Sequence, residues 1–459
     1  MTRHGEHAVV LGASMAGLLA ARVLTDFYDR VTLVERDVLD DTSCARRGVP
    51  QGKQPHAMLA RCGQIIDELL PGACTELIAD GAHVWSDGDL SRVYTRLGGH
   101  LVVRSGYIPD PSALTIMYAS RPLIERHVRR RVRALPQVTI MDGHAFDGPV
   151  LDDGVLAGVR TRARADNEMH SLTADLVVDA TGRGSRTPVF LEALGYSRPP
   201  EDRLEVNVNY VSMPVRIPSA ALHEDLFIDM FAPGRTRGFA MSRCEGETWI
   251  VLVGTLGRDT KPPASRTELI EQARHLMPAH AFDALCSGEP LADIALHRFP
   301  ASRWRRYDTM DRMPAGLLVT GDAVCSFNPI YGQGMTVAAI EAMALRDSLR
   351  RGPADLPRRF HRSAAKGIEV AWRTALSSDL SLPEVDGART PVTKMTNAYI
   401  DRVLRAAETD PWVAQEFLLV TGMIAPPTRL LRPAMVRRVL TSSLRGRRKP
   451  GASVSAARA

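Results

Sequence analysis

Six residues near the N-terminus, Gly12-Ala13-Ser14-Met15-Ala16-Gly17, have the types and spacing to hold a pyrophosphate through backbone groups. Gly12 lets the chain turn sharply out of a strand. The middle position, here Ser14, must be small for phosphate to approach, and Gly17 lets a helix pack close to that strand. A helix starting there presents unpaired N–H groups and a positive dipole end. Glu35 ends the next apolar run, where a carboxylate can accept hydrogen bonds from ribose hydroxyls and disfavours a 2′-phosphate. Far along the chain Gly321-Asp322 follows another apolar run, and Asp322 can accept from a ribityl hydroxyl. Asn328-Pro329-Ile330-Tyr331-Gly332-Gln333-Gly334-Met335 then opens a helix. Gly332 and Gly334 let amides approach a flat ring, and the helix start supplies positive potential for a reduced, anionic flavin. Taken singly, the first turn also suits an ordinary α/β crossover, and Gly-Asp also suits a helix cap. Together they point to FAD, bound non-covalently.

The elements that must position these residues are legible around them. Ala8–Leu11, Leu18–Leu24 and Val31–Val34 read as strand, helix and strand, one βαβ unit. Arg46 to His56 is rich in Gly, Pro and Gln and reads as an ordered loop. Arg121 to Ala134 reads as a helix, and Leu176–Val178 as a buried strand before Asp179-Ala180-Thr181-Gly182. Val206, Val208 and Tyr210 alternate with polar residues at the period of a half-buried strand. Phe239–Arg243 and Thr248–Val253 read as a hairpin joined at Glu245-Gly246. Leu317–Val319 returns to the parallel style, and a helix from Met335 to Arg350 stops at Gly352-Pro353. The fold class is α/β: a Rossmann-like FAD-binding domain of ββα three-layer type, with an inserted antiparallel β-sheet substrate domain and a C-terminal helical region. The expected division is 1–200 and 301–352 for the discontinuous FAD-binding domain, 201–300 for the sheet, 353–442 for the helices and 443–459 for a disordered basic tail.

The bulk numbers narrow the class. The chain has 459 residues, 45% hydrophobic and 24% charged, and a net charge of +6, which is ordinary for a globular protein and too small to argue for nucleic acid. The arginines at 129, 130, 131 and 133 read as a solvated helix face. The basic run from Arg445 to Lys449 could touch an anionic membrane, although a disordered tail suits it better. No Cys or His cluster has metal-ligand spacing. No signal peptide and no membrane-spanning run are apparent, so the expectation is a cytoplasmic protein.

At Val10 to Gly17, Arg46-Arg47-Gly48-Val49-Pro50-Gln51, Ser120-Arg121-Pro122-Leu123, Asp179 to Ser185, Gly321-Asp322-Ala323 and Asn328 to Met335, the chain resembles the FAD-dependent monooxygenases of the aromatic-hydroxylase superfamily. Within it, it resembles a bacterial branch that includes the polyether polyene epoxidases. The resemblance implies that Glu35 holds the adenosine ribose with Arg36 near the adenine, and that Arg121 reaches the phosphate–ribityl region. It implies Asp322 at the ribityl or pyrophosphate, Pro329 to Met335 along the isoalloxazine, and Arg47 and Gln51 as contacts from the adjoining loop. NADPH-using members carry Asp-Gly where this chain has Asp179-Ala180. NADPH or NADH is thus the electron source either directly or through a separate flavin reductase. The halogenase tryptophan motif is absent at Trp249-Ile250-Val251-Leu252.

The expected reaction is oxygenation, hydroxylation or epoxidation, of a lipophilic polyketide or isoprenoid by O2 through a flavin C4a-hydroperoxide. The cofactor carries the hard step, so no side-chain nucleophile is required. His56 is a candidate proton donor, set against a purely structural role. Tyr210, Met230, Phe231, Phe239 and Met241 are candidates to line an apolar pocket, set against core packing. The competing readings are a flavin-dependent reductase of an isoprenoid-type double bond and a non-catalytic flavin-binding sensor or scaffold.

Overall fold

The computed structural model describes residues 3–446, apart from 43 and 154. The strand Gly5–Leu11 (β1) leads through Gly12 into the helix Met15–Leu24 (α1) and back to Tyr28–Val34 (β2). The helix Arg121–Arg133 (α2) precedes Val138–Met141 (β3), and Leu176–Asp179 (β4) follows. With Leu317–Val319, named β10 below, these strands form a parallel sheet in the order β10-β4-β1-β2-β3. Its strands are continuous apolar runs because both faces are covered: Val9, Val10, Val31, Leu33, Val178 and Leu318 are fully buried.

The second layer is a larger, mainly antiparallel sheet. Its centre is the long strand Glu201–Arg216 (β5) with Leu226–Asp229 (β6), Arg237–Arg243 (β7), Thr248–Leu256 (β8) and Ala295–Arg305 (β9). The hairpin read from Glu245-Gly246 is present, with Ser242 opposite Ile250 and Gly246 at φ +64°. Three strands come from outside the expected sheet segment: Val93–Leu97 pairs in parallel with β6, His100–Leu101 pairs with Val93–Leu97, and Cys325–Ser326 pairs with β9. Alternation sorts the sheet's residues onto two faces. Val211, Met213, Phe227, Met241, Trp249 and Val251 pack outward under two short helices, Arg266–Ala273 and Ala279–Ser287. The other face looks onto the parallel-sheet domain.

After β10 (Leu317–Val319) come the helices Gly334–Arg350 (α3), Leu356–Asp379 (α4), Pro391–Ala407 (α5), Pro411–Thr421 (α6) and Pro433–Gly446 (α7). No helix among the described residues is long and apolar enough to cross a membrane. Residues 443–446, expected in a disordered tail, belong to α7; the rest of that expected tail, 447–459, lies outside the described residues. The arginine face of α2 is only partly solvated. Arg130 and Arg133 are exposed, but Arg129 is buried and donates to the Asp40 carbonyl at 2.6 Å. The helix braces the loop beside it, a role that periodicity alone does not reveal.

Candidate functional site

Four strand ends converge on one rim. β1 runs into Gly12, β2 into Glu35, β4 into Ala180 and β10 into Gly321-Asp322. Backbone bonds lock these ends together: Gly12 N–H to Val34 O (2.7 Å), Ala180 N–H to Leu11 O (2.8 Å) and Thr320 N–H to Asp179 O (2.9 Å). In an open parallel sheet this carboxyl-end crevice is where ligands bind. A cavity of about 1790 Å³ opens there, and Gly12, Glu35, Arg121 and Asp322 all line it. That exceeds the roughly 300–1,000 Å³ of a single-ligand pocket, so two ligands fit.

The adenosine end is built by local geometry. Gly12 has φ +98°, and a Cβ there would lie 2.6 Å from the Ala180 carbonyl oxygen. A Cβ at Gly17 would lie 1.8 Å from the Gly12 oxygen. Both glycines are demanded by the fold. Ala13 is buried, while Ser14, Met15 and Ala16 reach the cavity wall. Glu35 is 5% exposed. Its Oε2 accepts from Ala13 N–H at 2.9 Å and its Oε1 from Asp37 N–H at 3.0 Å. The carboxylate is therefore aimed before any ligand arrives.

Arg46 on this wall and Glu125 behind it are not among the candidates named from the sequence. Arg46 contacts Glu35 (3.1 Å), Asp37 (3.3 Å) and Glu125 (2.8 Å). Burial disfavours its charge, but the three carboxylates outweigh that and raise its pKa. Glu125, 3% exposed, accepts from Ser14 Oγ at 2.8 Å, and Ser14 in turn accepts from Arg121 at 2.8 Å. Burial pushes the Glu125 carboxyl up, while Arg121, Arg46 and Ser14 together bring it below its ordinary value. The Ser14 hydroxyl is thus committed to the wall. The signal available for Glu125 was its i,i+4 spacing from Arg121. Arg47, named from the loop, is exposed and off the cavity wall, because Arg46 is the neighbour drawn to the three carboxylates; Gln51 and Arg36 are on the wall.

At the other end, Asp322 opens to the cavity yet sits deep in the molecule. Depth pushes its carboxyl up, opposed by Arg183 and Arg121. The turn after β4 is held by Asp179, which accepts from Thr181 N–H (2.8 Å), Thr181 Oγ1 (2.6 Å), Ser185 Oγ and Thr187 Oγ1 (both 2.5 Å). All its capacity is used to shape the turn. Pro329, Gly332, Gly334 and Met335 line the cavity. Cβ atoms built at Gly332 or Gly334 meet nothing within 4 Å, and Gly332 has φ +67°. Packing does not demand these glycines; they leave an open cradle at the start of α3, which fits the ring system of a flavin.

Beyond the cradle the wall becomes apolar. Tyr210, Met230 and Phe231 line it, and the Phe231 ring lies across Gly238 and Gly254. Met241 does not reach the cavity: it faces the outer core with Phe227 and Trp249, as strand parity requires. Phe239 belongs to that core while still bordering the cavity. The cavity extends under the C-terminal helices, past Leu376, Leu380, Ile400, Leu404 and Phe417. His56 is on the wall with Nδ1–H donating to the Gln54 carbonyl at 2.8 Å. Burial, with Arg121 nearby, lowers its pKa to about 4. The lowered pKa favours the neutral ring, whose Nδ1–H is engaged by Gln54.

The site described by this geometry also has a family. Residues 6–351 match the FAD binding domain family model. The chain belongs to the FAD binding domain family. This flavoprotein fold fits the residues present, from the Glu35 aim to the open cradle at Gly332. Protein Rv3254 of Mycobacterium tuberculosis is 37% identical over 425 residues, covering 90% of this chain and 88% of that protein. In fold, the flavoprotein is similar to the flavin-dependent brominase Bmp2, with a TM-score of 0.65, 13% identity, and coverage of 96% of this chain and 100% of that one. It is equally similar to the p-nitrophenol 4-monooxygenase PnpA from Pseudomonas putida DLL-E4, with a TM-score of 0.65, 18% identity, and coverage of 93% and 99%.

Proposed function

We propose that this flavoprotein is a monooxygenase that inserts one oxygen atom of O2 into a lipophilic small molecule, a polyketide or isoprenoid, by hydroxylation or epoxidation. The observation that carries this reading is the single cavity in which the FAD cradle and the apolar sheet wall face each other. The fold shared with PnpA, a monooxygenase, supports it. Reduced FAD supplies the activation of O2. The chain's residues do the rest. Arg121 and the α1 start hold the phosphate region, Glu35 aims at the ribose, and Asp322 at the ribityl chain. Gly332 and Gly334 admit the ring, and the α3 start favours negative charge there. Phe231, Leu252 and the C-terminal helices exclude water and give the substrate an apolar bed. His56 lines the cavity wall with its Nδ1–H held by the Gln54 carbonyl.

Electrons come from NADPH or NADH, through a separate flavin reductase in the reading favoured here, since Asp179 is wholly engaged by its own turn. Mass spectrometry of product formed under 18O2 tests the oxygenation: one labelled atom per turnover is expected. Product free of label, or formed equally well without oxygen, would instead select the double-bond reductase.

A further inference from the structure

Three regions of the chain meet at one buried carboxyl that lies outside the family match, which ends at residue 351. Asp379 ends α4 and is 1% exposed. Its Oδ1 accepts from Asn328 Nδ2 at 3.0 Å and from the Tyr331 hydroxyl at 2.7 Å. Asn328, fully buried, accepts on its own Oδ1 from the Tyr210 hydroxyl and from Ile330 N–H at 3.3 Å. Its backbone N–H donates to Ser302 Oγ at 3.2 Å. Asn328 and Tyr331 belong to the loop that leads into the cradle, and Tyr210 belongs to the substrate-facing sheet. Tyr210 and Tyr331 both line the cavity.

That loop is one short turn, Pro329–Tyr331, closed by Gly332 in the left-handed region. No sheet ladder runs through it, so its position depends on these side-chain bonds. Asp379 Oδ2 finds no partner among the described residues. The carboxyl is thus buried at incomplete hydrogen-bonding capacity, while its other oxygen gathers two donors from the loop. Burial raises its pKa to about 6, against the two donated bonds. At neutral pH it is the acceptor both donors need.

We infer that Asp379 is a positioning residue for the flavin: it holds the ring-side loop through Asn328 and Tyr331, and through Asn328 it keeps that loop in register with the Tyr210 wall. The inference rests on the FAD reading of the cradle. A ligand that takes up the Tyr210 hydroxyl would release one bond on Asn328, so events at the substrate wall are felt at the flavin loop.

The test uses the full-length protein, with FAD affinity from flavin fluorescence and with the visible absorbance and circular dichroism of bound FAD. Asp379→Asn keeps an acceptor and is expected to hold the FAD Kd within about threefold of wild type. Asp379→Ala leaves two buried donors unpaired, and the expected outcome is a Kd raised at least tenfold with a displaced flavin band. Tyr210→Phe removes one hydroxyl from the sheet and none from the loop. It is expected to shift the flavin circular dichroism in the wild-type background and to add nothing in Asp379→Ala. Wild-type Kd and spectra in Asp379→Ala overturn the proposal while leaving the FAD reading intact. A wild-type chain that binds no FAD overturns both. If Asp379→Ala fails to fold, Tyr210→Phe and Tyr331→Phe carry the test: coupled effects on the flavin spectrum support the network, and independent, additive effects overturn it.

Discussion

At the scale of single residues, the site depends on charge held in place before the cofactor arrives. Arg46 is the clearest case, one guanidinium serving Glu35, Asp37 and Glu125, all largely buried. Removing one partner of a buried ion pair costs about 3–5 kcal/mol, because the remaining charge is left uncompensated. Arg46→Ala is therefore expected to lower stability by about 3 kcal/mol or more in urea denaturation at pH 7. Arg46→Lys should recover little, since an ammonium cannot span three carboxylates. A midpoint unchanged in Arg46→Ala would refute this account. Glu35 and Asp322 were legible in the sequence because each follows an apolar run that ends at a turn. The choice between Arg46 and Arg47 was not legible, because neighbouring residues in a loop carry no periodicity to say which points inward.

Among elements, the start of α3 is the part whose role can be separated from packing. A side chain at Gly334 meets no atom within 4 Å. Gly334→Val is expected to leave the melting temperature of the FAD-free protein within about 2 °C while raising the FAD Kd tenfold or more, about 1.4 kcal/mol. Calorimetry and fluorescence titration read the two quantities separately. A large loss of melting temperature with unchanged affinity would mean that the glycine serves the fold. The elements flanking the cofactor turns were readable. The hairpin at Glu245-Gly246 and the helices at 121 and 334 follow from turn chemistry and periodicity. Which parity faces the flavin was not readable, because both sides of β7 and β8 are apolar and only the docking of two layers distinguishes them.

For the molecule as a whole, buried titratable groups set opposing pH limits. Burial lowers His56 to about 4 and His361 to about 3. The unfolded chain takes up protons there that the folded chain refuses, so stability falls as pH drops from about 6.5 towards 4. Burial raises Glu341 to about 8, although Gly321 N–H donates to it at 2.9 Å. The folded chain keeps a proton that the unfolded chain releases, so stability falls again as pH climbs from 4.5 to about 8. Glu341→Gln is expected to flatten the alkaline limb and His361→Gln the acid limb, read as urea midpoints between pH 4.5 and 8. An alkaline slope that survives in Glu341→Gln would show that another group carries it. The sequence by itself determined the Rossmann-like turn, the FAD and the residues at the strand ends, because each is written in local spacing. The tertiary structure alone decided that Glu35 and Asp322 share one rim, that Glu125 braces Ser14 and Arg46 behind it, and that the C-terminal helices line the cavity. Those contacts join positions far apart in the chain, and their energies depend on burial and distance, which local residue patterns do not encode.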